Sequence, residues 1–151
     1  MYIDASFSTH EDGAGHSALV TMVGSTAAIC KSSKQKLGTR NSTESELVAL
    51  SDLYIVGLWI HEFLHSLGLS LEKPVIYQDN KSTVALVTSL INNKPRTRHL
   101  NARRRVMYDD IVVNKNVSIE YLPTDEMIAD ILSKPLQGNA FYKFAQRIQG
   151  N

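Results

Sequence analysis

Ser17-Ala18-Leu19-Val20-Thr21-Met22-Val23-Gly24-Ser25-Thr26-Ala27-Ala28-Ile29-Cys30-Lys31 is the stretch from which the fold can be read. Two β-prone runs, Ser17–Val23 and Thr26–Lys31, are separated by Gly24-Ser25, a two-residue hairpin signal. So short a connection dictates antiparallel pairing. Upstream, Tyr2–Phe7 reads as another strand, set off by a polar loop from His10 to His16. Downstream the pattern changes. Ser32–Arg40 is basic and polar and reads as a loop, after which Asn41-Ser42-Thr43 offer N-cap side chains to a long helix that stops at Gly68. Within it Leu47, Leu50, Tyr54, Gly57, Leu58, His61 and Leu64 recur at helical spacing, so one stripe packs inward.

Pro74 opens a short apolar strand, Val75-Ile76-Tyr77, and Lys81–Leu90 reads as a second helix. A loop with Asn92-Asn93-Lys94-Pro95 leads to a basic helix from His99 to Asn114. Val117–Leu122 alternates as a strand, Thr124–Ser133 reads as a short helix stopped by Pro135, and Ala140–Ile148 suits a last amphipathic turn or two. A hairpin-linked start followed by helix-linked strands implies an α/β fold. Its five-stranded mixed sheet has the first three strands antiparallel and is flanked by helices. The expected organisation is one domain over 1–137 and a partly helical tail over 138–151.

The 151 residues suit a single domain, and 43% apolar with 21% charged residues is ordinary for a globular protein. A net charge of +1 does not advertise a nucleic-acid binder, so local clustering must carry any such reading. One cysteine, Cys30, excludes an internal disulfide and a cysteine-based zinc site; it reads as a core strand residue. The sequons at Asn41, Asn80 and Asn116 read as chance matches, with no signal peptide before them. The longest apolar stretch, Leu53–Ile60, is too short for a bilayer, so no membrane is expected. The chain begins almost directly in a strand, as a piece of a longer polypeptide would.

Carboxylates mark the ends of these elements. Asp4 lies in the first strand between Ile3 and Ala5, where an aspartate has poor β propensity. Asp79 follows Val75-Ile76-Tyr77 at the carboxyl end of a parallel strand, the edge where ligands collect in open α/β sheets. Asp130 sits among Met127, Ile128, Ile131 and Leu132. On the long helix, Glu46 lies roughly 50° from the centre of the inward stripe and Glu44 roughly 110° away. Glu44 fits the electrostatics of a helix start instead. Converging acids of this kind suit Mg²⁺ or Mn²⁺ and phosphodiester hydrolysis, although each acid singly is equally explained as a helix cap.

Tyr2-Ile3-Asp4-Ala5-Ser6, Ser42-Thr43-Glu44-Ser45-Glu46-Leu47-Val48-Ala49-Leu50-Ser51 and Tyr77-Gln78-Asp79-Asn80-Lys81-Ser82 occur in fixed order. Thr97-Arg98-His99 and Tyr121-Leu122-Pro123-Thr124, continuing through Ala129-Asp130-Ile131-Leu132-Ser133-Lys134-Pro135-Leu136, follow them. In order and spacing these motifs resemble the ribonuclease H domains of copia-type (Pseudoviridae-like) retrotransposon polyproteins, over nearly the whole chain as far as Gln137. The resemblance implies a ribonuclease H-like fold with Asp4, Glu46, Asp79 and Asp130 as catalytic, metal-binding carboxylates. It also implies two Mg²⁺ ions, which Mn²⁺ can replace, and cleavage of the RNA strand of RNA–DNA hybrids to 5′-phosphate and 3′-hydroxyl ends. A reverse transcriptase domain upstream in the same polyprotein is the expected partner, and the cytoplasm, including virus-like particles, the expected location. One departure stands out. Cellular and retroviral relatives carry a histidine in the loop after the last strand, whereas Pro123-Thr124-Asp125-Glu126 contains none.

Lys94–Arg105 packs six fixed positive charges into a dozen residues, a cluster suited to phosphates or to a solvated basic helix face. Arg96, Arg98, His99 and Arg103 are the candidate nucleic-acid contacts from this run. Ser6, Asn80 and Ser82 are candidates to read the 2′-hydroxyls of a hybrid, and Asn80 equally suits an N-cap. Trp59, His61 and His65 read as structural members of the long helix. Two other functions fit the same sequence: a catalytically silent nucleic-acid-binding or connection module of a reverse transcriptase, and another ribonuclease H-like polynucleotidyl transferase. Silent copies lose the acids first. The transferases order their acids Asp, Asp, Glu, whereas here the glutamate comes second.

Overall fold

The computed structural model describes residues 1–90 and 98–150. Its sheet has five strands, β1 (Tyr2–Ser6), β2 (His16–Val23), β3 (Thr26–Lys34), β4 (Val75–Gln78) and β5 (Ser118–Tyr121), in the order β3-β2-β1-β4-β5. β1, β2 and β3 pair antiparallel, while β4 runs parallel to both β1 and β5, so the expected mixed sheet is what forms. The β2–β3 turn is built on Gly24, whose φ of +62° lies in the left-handed region.

Period-2 alternation along β1 and β2 assigns a core to each face of the sheet. Ile3, Ala5 and Leu19 meet α1 (Ser42–Ser66), α2 (Lys81–Thr88) and α3 (Arg98–Tyr108) through Leu47, Leu50, Leu53, Val87, Leu100 and Met107. On the opposite face Ala18 and Val20 pack against Met127, Ile128, Ala129 and Phe144, the last from the terminal helix. The elements of that layer are α4 (Asp130–Ser133) and α5 (Gly138–Gln149).

Local chemistry sets the start of α1. Asn41 Oδ1 accepts from the Glu44 backbone N–H at 2.9 Å, and Glu44 Oε2 accepts from the Arg40 N–H at 3.0 Å. These bonds satisfy donors that a helix start leaves unpaired and account for Glu44 without any functional role. One residue further on, a buried network braces the helix against the sheet. Gln35 Nε2 donates to Ser17 Oγ and to the Ser45 carbonyl, both at 2.9 Å, and Ser45 Oγ donates to Gln35 Oε1 at 3.0 Å. Gly15 lies so close that a Cβ there would sit 2.5 Å from Gln35 Oε1 and 2.9 Å from the Ser6 carbonyl oxygen.

Several expectations are corrected. β3 continues to Lys34, into the segment read as loop, because Ser32, Ser33 and Lys34 pair with Ala18, Ser17 and His16 along a sheet edge that polar residues tolerate. Cys30 is exposed on that edge rather than in the core. The helix expected over Thr124–Ser133 is a 3₁₀ turn (Thr124–Glu126) and the four-residue α4. Between them Met127 is extended, with ψ of 93°, and Met127, Ile128 and Ala129 are buried. α3 gives way after Tyr108 to a π-helical segment, Asp109–Val113, where Tyr54 donates to Asp110 Oδ2 at 2.7 Å. The tail forms twelve residues of helix. Trp59 is 61% exposed, stacked on Phe63 with centroids 5.6 Å apart. At 25 residues α1 is also long and apolar enough to cross a membrane by length and composition, which the run Leu53–Ile60 alone did not suggest. Here it packs on β1 and β2 through its buried stripe.

Candidate active site

β1 and β4 are adjacent and parallel, so Asp4 within β1 and Asp79 just beyond β4 approach one another, and the first turns of α1 bring Glu46 alongside. Carboxylate oxygens of Asp4, Glu46 and Asp79 lie within 4.8 Å of one another. Asp4 is 1% exposed and Glu46 5%. Neighbouring side chains orient all three. Gln78 Nε2 donates to Glu46 Oε2 at 3.2 Å, Thr124 Oγ1 donates to Asp79 Oδ2 at 2.8 Å, and the Ser133 hydroxyl donates to Asp4 Oδ2.

Asp130, the fourth acid, is buried but stands apart from this trio. Its Oδ1 accepts from Lys134 Nζ at 2.9 Å, and the same ammonium lies 3.4 Å from Asp4 Oδ2. Lys134 therefore links Asp4 to Asp130.

The electrostatics follow from burial. Removal from water pushes the Asp4 carboxyl up to about 7; Lys134 opposes this, while Asp130 and Asp79 add to it. Burial likewise raises Glu46 well above the usual carboxylate range, and the charges of Asp4 and Asp79 raise it further. Among the described residues Asp4 Oδ1 has no hydrogen-bond partner, although it is fully buried. A buried acceptor without a donor, beside two further carboxylates, is what a hard divalent cation would satisfy, and the all-oxygen donor set suits Mg²⁺ or Mn²⁺.

The remaining candidates occupy varied positions. Ser6 is buried, with its Oγ 3.0 Å from Thr9 Oγ1. Asn80 caps α2, accepting from the backbone N–H groups of Ser82 and Thr83 at 3.0 and 3.1 Å, and Ser82 is exposed beside it. Arg98 and His99 are exposed at the start of α3, and Arg96 lies outside the described residues. Arg103 is engaged within the fold, paired with Asp52 and donating to Ser51 Oγ at 2.6 Å. Arg104 is 2% exposed and donates to the carbonyls of Leu86, at 2.7 Å, and Ser89, while Arg105 pairs with Asp109. Much of the basic run thus fastens α3 to its neighbours.

Sequence reasoning did not single out Gln78, Thr124, Ser133 or Lys134. Gln78 and Ser133 had one available signal, being polar residues within apolar surroundings. Lys134 had none, since a lysine before a proline at a helix end is ordinary.

Comparison with solved structures establishes the class: the chain has the ribonuclease H fold. LC11-RNase H1, solved in complex with an RNA/DNA hybrid, aligns over 87% of this chain and 90% of its own with a TM-score of 0.59 and 16% identity. The N-terminal ribonuclease H domain of a Mycobacterium tuberculosis protein aligns over 96% of this chain and 94% of its own, with a TM-score of 0.57 and 16% identity. No family model matches the sequence. Its homologues are retrovirus-related polyproteins of copia-type elements. The Pol polyprotein from transposon RE1 of Arabidopsis thaliana is 31% identical over 118 residues, 78% of this chain, and the Ty1-NL2 Gag-Pol polyprotein of Saccharomyces cerevisiae 28% over 114, or 74%. The chain spans 8% and 6% of the lengths of those relatives.

Proposed function

We propose that this chain is an endoribonuclease that cuts the RNA strand of RNA–DNA hybrids by two-metal-ion hydrolysis, leaving 5′-phosphate and 3′-hydroxyl ends. The observation that carries this reading is the grouping of the Asp4, Glu46 and Asp79 carboxylates inside 4.8 Å on a ribonuclease H fold, with a buried Asp4 Oδ1 that has no partner among the described residues. Mg²⁺ or Mn²⁺ held by these carboxylates, with Asp130 completing the set, would supply Lewis acidity for water attack on the phosphodiester and for charge on the leaving oxygen. The protein's own part is orientation. Gln78, Thr124 and Ser133 aim Glu46, Asp79 and Asp4, so the carboxylates need little rearrangement when a cation arrives.

Arg98 and His99, exposed at the start of α3, are available for phosphates, as Ser82 is for polar contact beside Asp79. The hybrid complex of LC11-RNase H1, with the same fold, supports a hybrid as substrate. The Pol relatives support a place downstream of a reverse transcriptase in one polyprotein, degrading template RNA after copying. We place that activity in the cytoplasm, including virus-like particles.

A labelled hybrid incubated with the chain in Mg²⁺, Mn²⁺ or EDTA, beside Asp79→Asn, tests the reading. Metal-dependent loss of RNA alone, abolished in the variant, is the expected result. A folded chain that binds hybrid and never cuts it would instead be a silent binding module.

A further inference from the structure

The four acids fall into two groups that share Asp4. Asp4 is grouped with Glu46 and Asp79, and its Oδ1 has no hydrogen-bond partner among the described residues. Its Oδ2 is already occupied, accepting from the Ser133 hydroxyl with Lys134 Nζ at 3.4 Å. The same ammonium is 2.9 Å from Asp130 Oδ1. Asp4 thus belongs to an acidic trio and, through Oδ2, also shares with Asp130 a cation that the chain itself supplies.

We propose that Lys134 is a built-in counter-cation between Asp4 and Asp130, two residues that would help to hold a second divalent ion, so that the substrate-free site admits one ion readily and a second only when the ammonium leaves. This inference rests on the reading of the acids as divalent-ion ligands.

Three observations support it. Asp4 and Asp130 are both buried, so their charges cannot be left uncompensated without large cost, and Lys134 is the ammonium that spans them. The lysine is tethered four residues from Asp130, which gives it an effective concentration that free Mg²⁺ must outcompete. Its side chain is 36% exposed, so the ammonium can swing into solvent or onto an arriving phosphodiester without unfolding α4. Lys134 acts here through Asp4 and Asp130 and is a positioning residue. The negative charge of a substrate phosphate would favour its release, coupling entry of the second ion to substrate binding.

The test is a calorimetric Mn²⁺ titration of the full chain without nucleic acid, at fixed pH and ionic strength, on the wild type, Lys134→Met, Lys134→Gln and Lys134→Arg. Methionine keeps the apolar stem and removes the charge; glutamine serves if the methionine variant does not fold. The expected result is one ion for the wild type and Lys134→Arg. The neutral variants should bind a second ion, or bind Mn²⁺ at least tenfold more tightly. Isotherms of folded neutral variants that superimpose on the wild type overturn the inference. Asp79→Asn separates the two claims. Mn²⁺ binding that is weakened by Asp79→Asn and indifferent to Lys134 overturns this inference alone, whereas no binding by any variant overturns the metal reading and this inference with it.

Discussion

At the scale of single residues, the site is defined by what Asp4 lacks. Its carboxyl is buried against two other acids and raised to about 7, and one of its oxygens has no donor among the described residues. A carboxyl whose folded pKa exceeds its unfolded value near 3.9 binds more protons folded than unfolded between those values, so stability falls as pH rises through that window. Glu46 is shifted in the same direction. In EDTA, thermal unfolding should therefore move to lower temperature between about pH 4 and 7, more steeply for the wild type than for Asp4→Asn. Mg²⁺ should recover the loss above pH 7, since it binds the deprotonated carboxylates. Parallel melting curves for the two proteins would refute this account. Gly15 offers a second check at this scale. Alanine there would bring a Cβ to 2.5 Å from Gln35 Oε1 and 2.9 Å from the Ser6 carbonyl, and should destabilise the protein by about 1–3 kcal/mol in urea unfolding.

At the scale of elements, α3 shows how a basic helix divides its charges. Arg104 donates to carbonyls at the end of α2 and Arg103 pairs with Asp52 of α1, whereas Arg98 is exposed. Arg104→Ala should cost about 1–3 kcal/mol of stability because a buried side chain is removed and two part-buried carbonyls lose their donor. Arg98→Ala should change stability by no more than about 0.5 kcal/mol. It should instead weaken hybrid binding and reduce the slope of log affinity against log salt by about 1. Chemical unfolding and salt-dependent binding of the two variants separate fastening from substrate contact. If Arg104→Ala weakens binding and leaves stability unchanged, this division of labour is wrong.

At the scale of the whole molecule, the sheet needs both of its layers. Phe144 of α5 is 4% exposed and lies in the same core as Ala18, Val20, Met127 and Ile128. That core also carries the segment that delivers Asp130, Ser133 and Lys134 to Asp4. Phe144→Ala should cost about 3–5 kcal/mol by denaturant unfolding. A cost below about 1 kcal/mol would mean that α5 is dispensable to the fold.

Much of this was legible in the sequence, for reasons that can be named residue by residue. Gly24-Ser25 between two apolar runs dictates a hairpin because no other connection is so short. Leu47, Leu50 and Tyr54 dictate an inward helix stripe, and Glu46 beside that stripe is placed near the sheet by rotation alone. Order and spacing of motifs then pointed to the four acids and the fold. Tertiary structure decided what periodicity cannot encode. It turned Cys30 outward, because hydropathy does not distinguish an edge strand from a central one. It extended Met127 and buried Met127–Ala129 between two short turns where a continuous helix was expected, because packing under β2 outweighs helical propensity there. It spent Arg103, Arg104 and Arg105 on partners distributed over Asp52, α2 and Asp109. It also brought Lys134 to Asp4, 130 residues earlier in the chain, leaving one oxygen of that carboxylate paired and the other without a partner among the described residues. Which residues bear charge is local information; which charges meet is settled only when the sheet and its two helical layers close around them.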